Sequence, residues 1–327
     1  MNIAFSTIFY RLPQTVVKKT VKKTTKTQTM LHTPVLLKES IEGLSLKKGG
    51  VYVDCTVNRG GHSIEIAKAI GKTGTLVCID LDQDALAQAK EKLEGMKRGA
   101  PTFHFVHSNF RHLMSILKKL DIDKVDGIIA DFGISSQELE TSNRGFSFLR
   151  DEPLQMTFDA HPGEDMTTAF DIVNFWSEST IADVLFGFAD ETYARRIAKA
   201  IVETRTKEPI KTTLQLVSVI ERAVPVMYRH KKTHCATKTF QALRMAVNDE
   251  LGSIEELLTV APDVLKHGGR MAVITFHSTE DRITKKGLRA QQDSFIFINK
   301  KAIIPSDEEL KKNPRSRSAQ LRIVERK

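Results

Sequence analysis

The sequence has no long apolar run and little cysteine, and both absences narrow the class of protein. No stretch of its 327 residues approaches the roughly 18 apolar residues that a membrane-spanning helix needs. Its cysteines, Cys55, Cys78 and Cys235, lack the spacing of a metal site or a disulfide framework. These absences predict a cytoplasmic protein with reduced core thiols, no bound metal and no membrane contact.

Acidic residues are missing from the first 30 positions, which hold six lysines and arginines. The net charge is +9, but the rest of the chain has 43 basic and 40 acidic residues. Any nucleic-acid surface must therefore be a local patch. An apolar segment followed by lysines is the reverse of a secretory signal. We expect residues 1–30 to be a disordered basic tail, or translation to start at Met30, with an organelle transit peptide as the alternative.

The dinucleotide-binding fingerprint G-x-G-x-x-G is also missing, although strands and helices alternate from residue 31. Apolar, β-branched runs predict strands at 51–56, 75–80, 103–108, 125–131, 270–277, 295–299 and 321–326. Residues 139–233 show only helical patterns, including 178–204 and 212–224, and a long helical run covers about 237–266. The pattern predicts a doubly wound, Rossmann-like α/β sheet that is interrupted after its fourth strand by a helical insertion.

Three acids stand at the ends of predicted strands. Asp54 precedes a glycine pair in "VDCTVNRGGHS" (53–63), Asp80 ends the second strand and Asp131 ends the fourth. An acid in the position of Asp80 suits the hydroxyl groups of a ribose, in NAD or in S-adenosylmethionine. Asp54 favours S-adenosylmethionine, because a carboxylate beside the turn would repel a pyrophosphate.

The chain from His32 onward resembles the RsmH (MraW) family of 16S rRNA cytosine-N4 methyltransferases. The blocks that carry the resemblance follow one another in the family's order over about nine-tenths of the chain: "HTPVLLKES" (32–40), "DCTVNRGGHS" (54–63), "DFGISSQELE" (131–140), "RGFSF" (144–148), "DEPLQMTFD" (151–159), "YARRIAKAI" (193–201), "HCATKTFQALRMAVNDEL" (234–251), "TFHSTEDRITK" (275–285) and "NPRSRSAQLRIVER" (313–326).

The resemblance implies an S-adenosylmethionine-dependent methyltransferase fold with an inserted helical domain. It implies methyl transfer to the exocyclic N4 of a cytosine in the decoding region of small-subunit (16S) rRNA. The implied cofactor-binding residues are Gly60, Gly61, His62, Asp80, Phe110, Asp131 and Glu138. Asn58, Glu138 and Gln155 depart from the family pattern, which usually has Gly, Gln and Asp there.

The catalytic candidates lie on the loop after the fourth strand, where the methyl group should point. They are Asp131, Ser135 and Ser136, with hydrogen bonding within a turn as the alternative for the serines. Ser278 and Asp281 have the spacing of a helix capping box, and His277 is free to face the cleft.

RNA contacts are expected from basic residues around the cleft and in the C-terminal segment, where residues 311–327 carry seven lysines and arginines against one acid. The candidates are Arg144, Lys238, Arg244, Arg315 and Arg317. We expect a methyltransferase domain in two parts, 31–138 and 234–327, around an RNA-recognition insertion at 139–233. The expected partner is small-subunit rRNA, free or in an assembling 30S particle. The sequence does not decide whether the protein forms a homodimer. Alternatives are a mitochondrial-type or other RNA methyltransferase, and a non-catalytic RNA-binding assembly factor.

Overall fold

The computed structural model describes residues 34–96, 99–163 and 165–327, without the side chains of Ser136 and Gln137. The predicted N-terminal tail, residues 1–30, lies outside the described residues. Within the described part of the chain, no helix is both long and apolar enough to cross a membrane.

The described strands form a single mostly parallel sheet, in the order β3-β2-β1-β4-β5-β7-β6. The strands are β1 (Val51–Asp54), β2 (Thr75–Asp80), β3 (Thr102–His107), β4 (Val125–Asp131), β5 (Leu265–Thr275), β6 (Phe295–Phe297) and β7 (Gln320–Arg326). Neighbours among β1 to β5 pair in parallel, and β7 runs antiparallel to both β5 and β6. Each of the seven predicted strands is present, so the predicted Rossmann-like fold class is confirmed.

Helices surround this sheet and fill the interval between β4 and β5. They are α1 (Leu37–Leu44), α2 (Gly61–Ile70), α3 (Gln83–Glu94), α4 (Leu113–Lys119), α5 (Ser136–Thr141), α6 (Ala169–Phe175), α7 (Glu178–Ala189), α8 (Ala194–Arg205), α9 (Thr213–Ala223), α10 (Val226–Arg229), α11 (Thr237–Val247), α12 (Glu250–Val264), α13 (Ser278–Ala290) and α14 (Asp307–Lys312), with 3-10 helices η1 (Phe110–His112) and η2 (Pro314–Ser318).

Two long helical predictions are interrupted in the structure by residues in the left-handed region. The stretch 178–204 breaks between α7 and α8, where Asp190 has φ of 49°. The run at 237–266 breaks between α11 and α12, where Asp249 has φ of 43°. Aspartate is among the residues that tolerate this conformation, which apolar periodicity alone does not reveal.

The central strands are buried on both faces, as a parallel sheet requires. Successive side chains point to opposite faces, so Tyr52 packs against α1 and α2 while Val53 packs against α4 and α12. Cys55, Cys78 and Cys235 are buried free thiols, as predicted. This alternation fixes the register of the strands and brings their carboxyl ends to one edge.

A second hydrophobic core holds the helical lobe, which we define as α5 to α11. Its buried residues run from Phe146 to Val247 and include Phe240 and Leu243 of α11. In the structure α11 therefore packs with the lobe, although it follows residue 233. The domain boundaries and the RNA-recognition role of 139–233 stay predictions.

Arg144 connects the helical lobe to the sheet domain. Its guanidinium is buried, pairs with the carboxylate of Asp82 at 2.5 Å and donates to the backbone carbonyls of Thr157 and Phe158. Asp82 also caps α3 through the amides of Asp84 and Ala85. Because its charge is balanced internally, this position does not favour the predicted role of Arg144 in RNA binding.

We expect Arg144→Met to lower the free energy of unfolding by about 3–5 kcal/mol, because it leaves the buried Asp82 carboxylate without its counter-ion. Urea denaturation of the purified variant measures this loss. Lys68→Met is the matched control, because the ion pair of Lys68 with Glu65 is exposed and should contribute only about 0–1 kcal/mol. Equal, small losses in both variants would contradict a structural role for Arg144.

Candidate active site at the carboxyl edge of the sheet

A pocket opens where β1, β2 and β4 end. We call it the edge pocket. Its wall consists of Cys55, Thr56, Asn58, Asp80, Leu81, Ser108, Asn109, Phe110, Phe132, Gly133, Glu138, Phe158, Asn248, Glu250, Ser253 and Ile254. Ligands of open α/β sheets bind at this place, beyond the carboxyl ends of the strands. Of the predicted cofactor residues, Asp80, Phe110 and Glu138 are in the wall.

The glycine-rich turn after β1 closes one side of the edge pocket. Asn58 and Gly60 both have positive φ, 47° and 74°, and asparagine tolerates this left-handed conformation better than most residues. Gly61 begins α2 against Pro34, whose Cγ would lie 2.3 Å from a Cβ at position 61. Gly60, Gly61 and His62 thus shape the turn, while Asn58 is the residue of this group in the pocket wall.

Asp80 is oriented by two backbone amides. Its Oδ2 accepts from the N–H of Asn58 at 2.7 Å, and its Oδ1 accepts from the N–H of Asp82 at 2.9 Å. Burial raises the pKa of Asp80 to about 7, although the two hydrogen bonds by themselves would lower it. The charges of Asp82 and Asp54 raise this pKa further. Each oxygen retains a lone pair for a ligand hydroxyl, so Asp80 suits a ribose.

Glu138 is held at the start of α5 by a capping box. Its Oε2 accepts from the N–H of Ser135 at 2.7 Å, and the Ser135 hydroxyl accepts from the N–H of Glu138 at 3.1 Å. Burial raises the pKa of Glu138 to about 7. The Ser135 hydroxyl therefore caps α5, which agrees with the local hydrogen bonding given above as the alternative to a catalytic role. Ser136 is the first residue of α5, and the structure does not describe its side chain.

Asp131 ends β4 beside the pocket, with a buried Oδ1 that has no hydrogen-bond partner among the described residues. Its Oδ2 lies 3.8 Å from Nδ1 of His62, whose Nε2 is 3.1 Å from the carbonyl of Val35. Burial raises the pKa of Asp131 well above its usual value, and the charges of Asp54 and Glu280 raise it further. A buried acceptor without a donor is costly, so a ligand that donates a hydrogen bond here would stabilise the site.

His277 and Glu280 lie behind Asp131 at the end of β5. His277, not Ser278, is the N-cap of α13, and Glu280 completes its capping box, so the predicted Ser278–Asp281 box is wrong by one residue. Although burial alone would raise the pKa of Glu280, His277 and Arg244 hold it below its usual value. The site thus combines an ionised carboxylate, Glu280, with a carboxyl group that favours its protonated form, Asp131. Pairs of acids whose pKa values are shifted in opposite directions are typical of acid–base sites.

The side of the pocket opposite the turn comes from residues whose role the sequence did not indicate. Asn248 accepts from the N–H of Phe158 at 2.7 Å and donates to the carbonyl of Met156 at 2.8 Å. Glu250 is paired with Arg244 at 2.7 and 2.9 Å. Asn248 and Glu250 stand on either side of Asp249, where the chain breaks between α11 and α12. They lie within the block 234–251, but the resemblance gave them no role in the pocket.

Four of the five predicted RNA-binding residues are bound by partners within the protein, Arg144 by Asp82 as described above. Arg244 is buried against Glu250, as described above. Lys238 donates to the carbonyl of Asp190 at 2.7 Å, and Arg315 is paired with Glu140. Arg317 is exposed and has no ion pair within the described part of the chain.

Among the described residues, one group could offer ligands to a metal ion. Atoms of Glu221, His234 and Cys235 lie within 4.8 Å of one another in the helical lobe. Burial raises the pKa of Cys235, and the charge of Glu221 raises it further, so the thiol form is favoured. None of the three lines the edge pocket, and the absence of a metal stays a prediction.

The wall of the edge pocket suits a nucleoside that carries a positive charge. Among the described residues, this wall contains three acids, Asp80, Glu138 and Glu250, and no lysine, arginine or histidine. Phe110 and Phe132 lie with their ring centroids 5.5 Å apart in the same wall and supply apolar surface for a base. A sulfonium is attracted by this field, whereas a pyrophosphate is repelled, so these residues fit S-adenosylmethionine.

We expect Glu138→Gln to stabilise the ligand-free protein at pH 8 but not at pH 4. Glutamine preserves the capping box and removes a carboxyl group whose folded-state pKa is about 7. Ionisation of Glu138 does not lower the free energy of unfolding below the unfolded-state pKa near 4.3, and lowers it most above the folded-state pKa. The stability gained by Glu138→Gln therefore grows as the pH rises between these two values. The pKa difference limits this gain in the free energy of unfolding to about 4 kcal/mol.

Chemical denaturation of wild type and Glu138→Gln at pH 4, 6 and 8 measures this gain. The control is Glu140→Gln, two residues further along the same helix, where the carboxyl group is exposed. A difference that is independent of pH, or that shrinks towards pH 8, would contradict the raised pKa of Glu138.

Comparison with known proteins agrees with this chemistry. Residues 29–327 match the MraW methylase family. The chain is 45% identical over 296 residues to a protein of Thermosipho africanus, with 90% of this chain and 97% of that protein covered. It is 42% identical to a protein of Finegoldia magna and 40% identical to one of Clostridioides difficile, each covered over 98% of its length. All three relatives are named ribosomal RNA small subunit methyltransferase H.

The family predicted from the sequence is therefore confirmed, and with it the methyltransferase fold and S-adenosylmethionine as the cofactor. The pocket residues that favour a cationic nucleoside lie within the matched range. With a strand order, a pocket and a sequence that agree, the chain belongs to the MraW methylase family of S-adenosylmethionine-dependent methyltransferases.

Proposed function

We propose that the protein transfers a methyl group from S-adenosylmethionine to the exocyclic N4 of a cytosine in the decoding region of small-subunit rRNA. Support for an rRNA substrate comes from relatives at 40–45% identity that carry the name of small-subunit rRNA methyltransferases. The resemblance of the motifs to the cytosine-N4 enzymes supports the target atom. The observation that carries the chemistry is the unpartnered buried Oδ1 of Asp131 beside the edge pocket.

The cofactor residues have separate tasks in this proposal. Asp80 accepts hydrogen bonds from the ribose hydroxyls, and Phe110 packs against the adenine. Glu138 and Asp131 supply carboxyl groups at the methionine end, and a bound sulfonium favours their ionised forms. When bound, S-adenosylmethionine supplies a methyl group on a sulfonium, and the glycine-rich turn with His62 positions the backbone around it.

Asp131 has the second task of binding the target amine. The exocyclic amine of cytosine is a weak nucleophile because its lone pair is delocalised into the ring. An acceptor that bonds to an N–H of this amine favours the tetrahedral nitrogen of the transition state. The Oδ1 of Asp131 is such an acceptor, and the ionised Glu280 behind it favours transfer of the released proton towards Asp131.

The state of the cofactor site favours an enzyme over a non-catalytic assembly factor. Asn58 keeps the turn that the family forms with glycine and donates its backbone N–H to Asp80. Glu138 occupies the position of the family's glutamine and caps α5 from within the pocket wall. Both departures are accommodated, so neither indicates a decayed site.

Mass spectrometry of nucleosides tests the proposal. Small-subunit rRNA is incubated with the protein and S-adenosylmethionine, and N4-methylcytidine is expected in the decoding region. We expect Asp131→Asn to lower the rate by about 100-fold or more while donor affinity changes less than tenfold. Because burial raises the pKa of Asp131, the wild-type rate should increase with pH above the usual range of an aspartate. Methylation of another base or atom would refute the assignment.

We expect Asp80→Ala to weaken donor binding and to leave RNA binding unchanged. The lost charge-assisted bonds to ribose are worth about 1.5–3 kcal/mol each, so titration calorimetry should show at least tenfold weaker binding of S-adenosylmethionine. Asp84→Ala is the control, because Asp84 is exposed on α3. Unchanged donor affinity in Asp80→Ala would contradict the ribose assignment.

A further inference from the structure

Helix α13 carries four exposed basic residues on one face. They are Arg282, Lys285, Lys286 and Arg289, and we call them the α13 basic face. Their spacing of i, i+3, i+4 and i+7 places them on one side of the helix. The opposite side, with Glu280, Thr284 and Leu288, is buried. All four line an open groove together with Ser278, Asp281 and Gln320.

The charge of this face is not neutralised by neighbouring acids. Elsewhere on the surface, helical lysines pair with acids one turn away, as Lys312 does with Glu308. Asp281 precedes Lys285 by one turn, but both of its oxygens are bound by Arg322 at 2.7 and 3.0 Å. Within the described part of the chain, none of the four residues has an ion-pair partner, so the groove presents a net positive charge.

The groove begins next to the edge pocket. Ser278 follows His277, whose Nε2 lies 3.0 Å from Oε1 of Glu280, and Glu280 lies beside Gly133 of the pocket wall. At the same end, Gln320 pairs with Thr275 at the carboxyl end of β5. From this end the basic face extends about 10 Å along the helix, roughly the axial rise of three nucleotides.

We propose that the α13 basic face binds the phosphate backbone of the RNA segment next to the target base. The inference rests on the proposed function, because it takes RNA as the substrate. Four unpaired cations in an open groove suit closely spaced phosphates, and they bind them independently of sequence. The apolar side of α13 is buried, so the helix lacks the exposed apolar residues of a membrane-binding helix.

The test replaces Arg282, Lys285, Lys286 and Arg289 together by glutamine. The control variant replaces Lys48, Lys72, Lys118 and Lys119 by glutamine. These lysines are exposed and precede β1, β2 and β4, at the opposite edge of the sheet. The two variants lose the same charge, so a difference between them reports position and not net charge.

Methyl transfer to 16S rRNA, naked and in small subunits, is measured with labelled S-adenosylmethionine at several salt concentrations. We expect the α13 variant to raise KM by about tenfold or more at ~150 mM salt and to reduce the salt slope by up to about 3, at roughly 0.7 per lost phosphate contact. Its kcat and donor affinity should remain at the wild-type values. The control variant should behave like wild type.

An unchanged KM in the α13 variant, or an equal rise in the control variant, would overturn the inference while the proposed function stands. If the wild type transfers no methyl group to rRNA, the proposed function fails. Filter binding of the same RNA to wild type and both variants then decides the inference by itself. Binding that is weakened only in the α13 variant supports it, and equal binding by all three proteins refutes it.

Discussion

The crowding of carboxyl groups at one edge of the sheet is the constraint on which the rest of the structure depends. Asp54, Asp80 and Asp131 end three strands that pair in parallel, so their side chains converge, and Glu138 joins them from α5. Burial raises the pKa of each one, to about 6 for Asp54 and about 7 for Asp80 and Glu138. A cationic ligand relieves this repulsion, so the same arrangement that costs stability in the free protein favours the sulfonium donor.

The surrounding structure holds these groups in place with bonds that connect distant parts of the chain. Ser63 of α2 donates to Asp54 at 2.6 Å, and Arg144 binds Asp82 from the helical lobe. Thr279 of α13 donates to the carbonyl of Phe188 in α7 at 2.8 Å. The lobe is thereby fixed over the carboxyl edge, where Phe158 and the segment after α11 complete the pocket.

The basic residues illustrate how far local composition can mislead. Arg144 and Arg244 lie in blocks that carry the family resemblance, and both are buried against acids. Asp82 is far from Arg144 in the sequence, and Glu250 follows the break between α11 and α12. Two residues of the α13 basic face, Arg282 and Lys285, stand in the block 275–285, but the resemblance gave them no role. Arg322 of β7 binds the acid one turn before Lys285, so this acid does not neutralise the face. Which cation is available to RNA is thus decided by partners that are far away in sequence.

The sequence by itself determined the strands, the fold class, the family and the acids at the ends of β1, β2 and β4. These features depend on short-range periodicity and on motifs that are contiguous in the chain. It misplaced the start of α13 by one residue and did not indicate Asn248 or Glu250 as pocket residues. Only the tertiary structure decided which acid lacks a partner, which arginine is buried and which helix face carries free charge, because burial and electrostatic pairing depend on side chains that the fold brings together from distant positions.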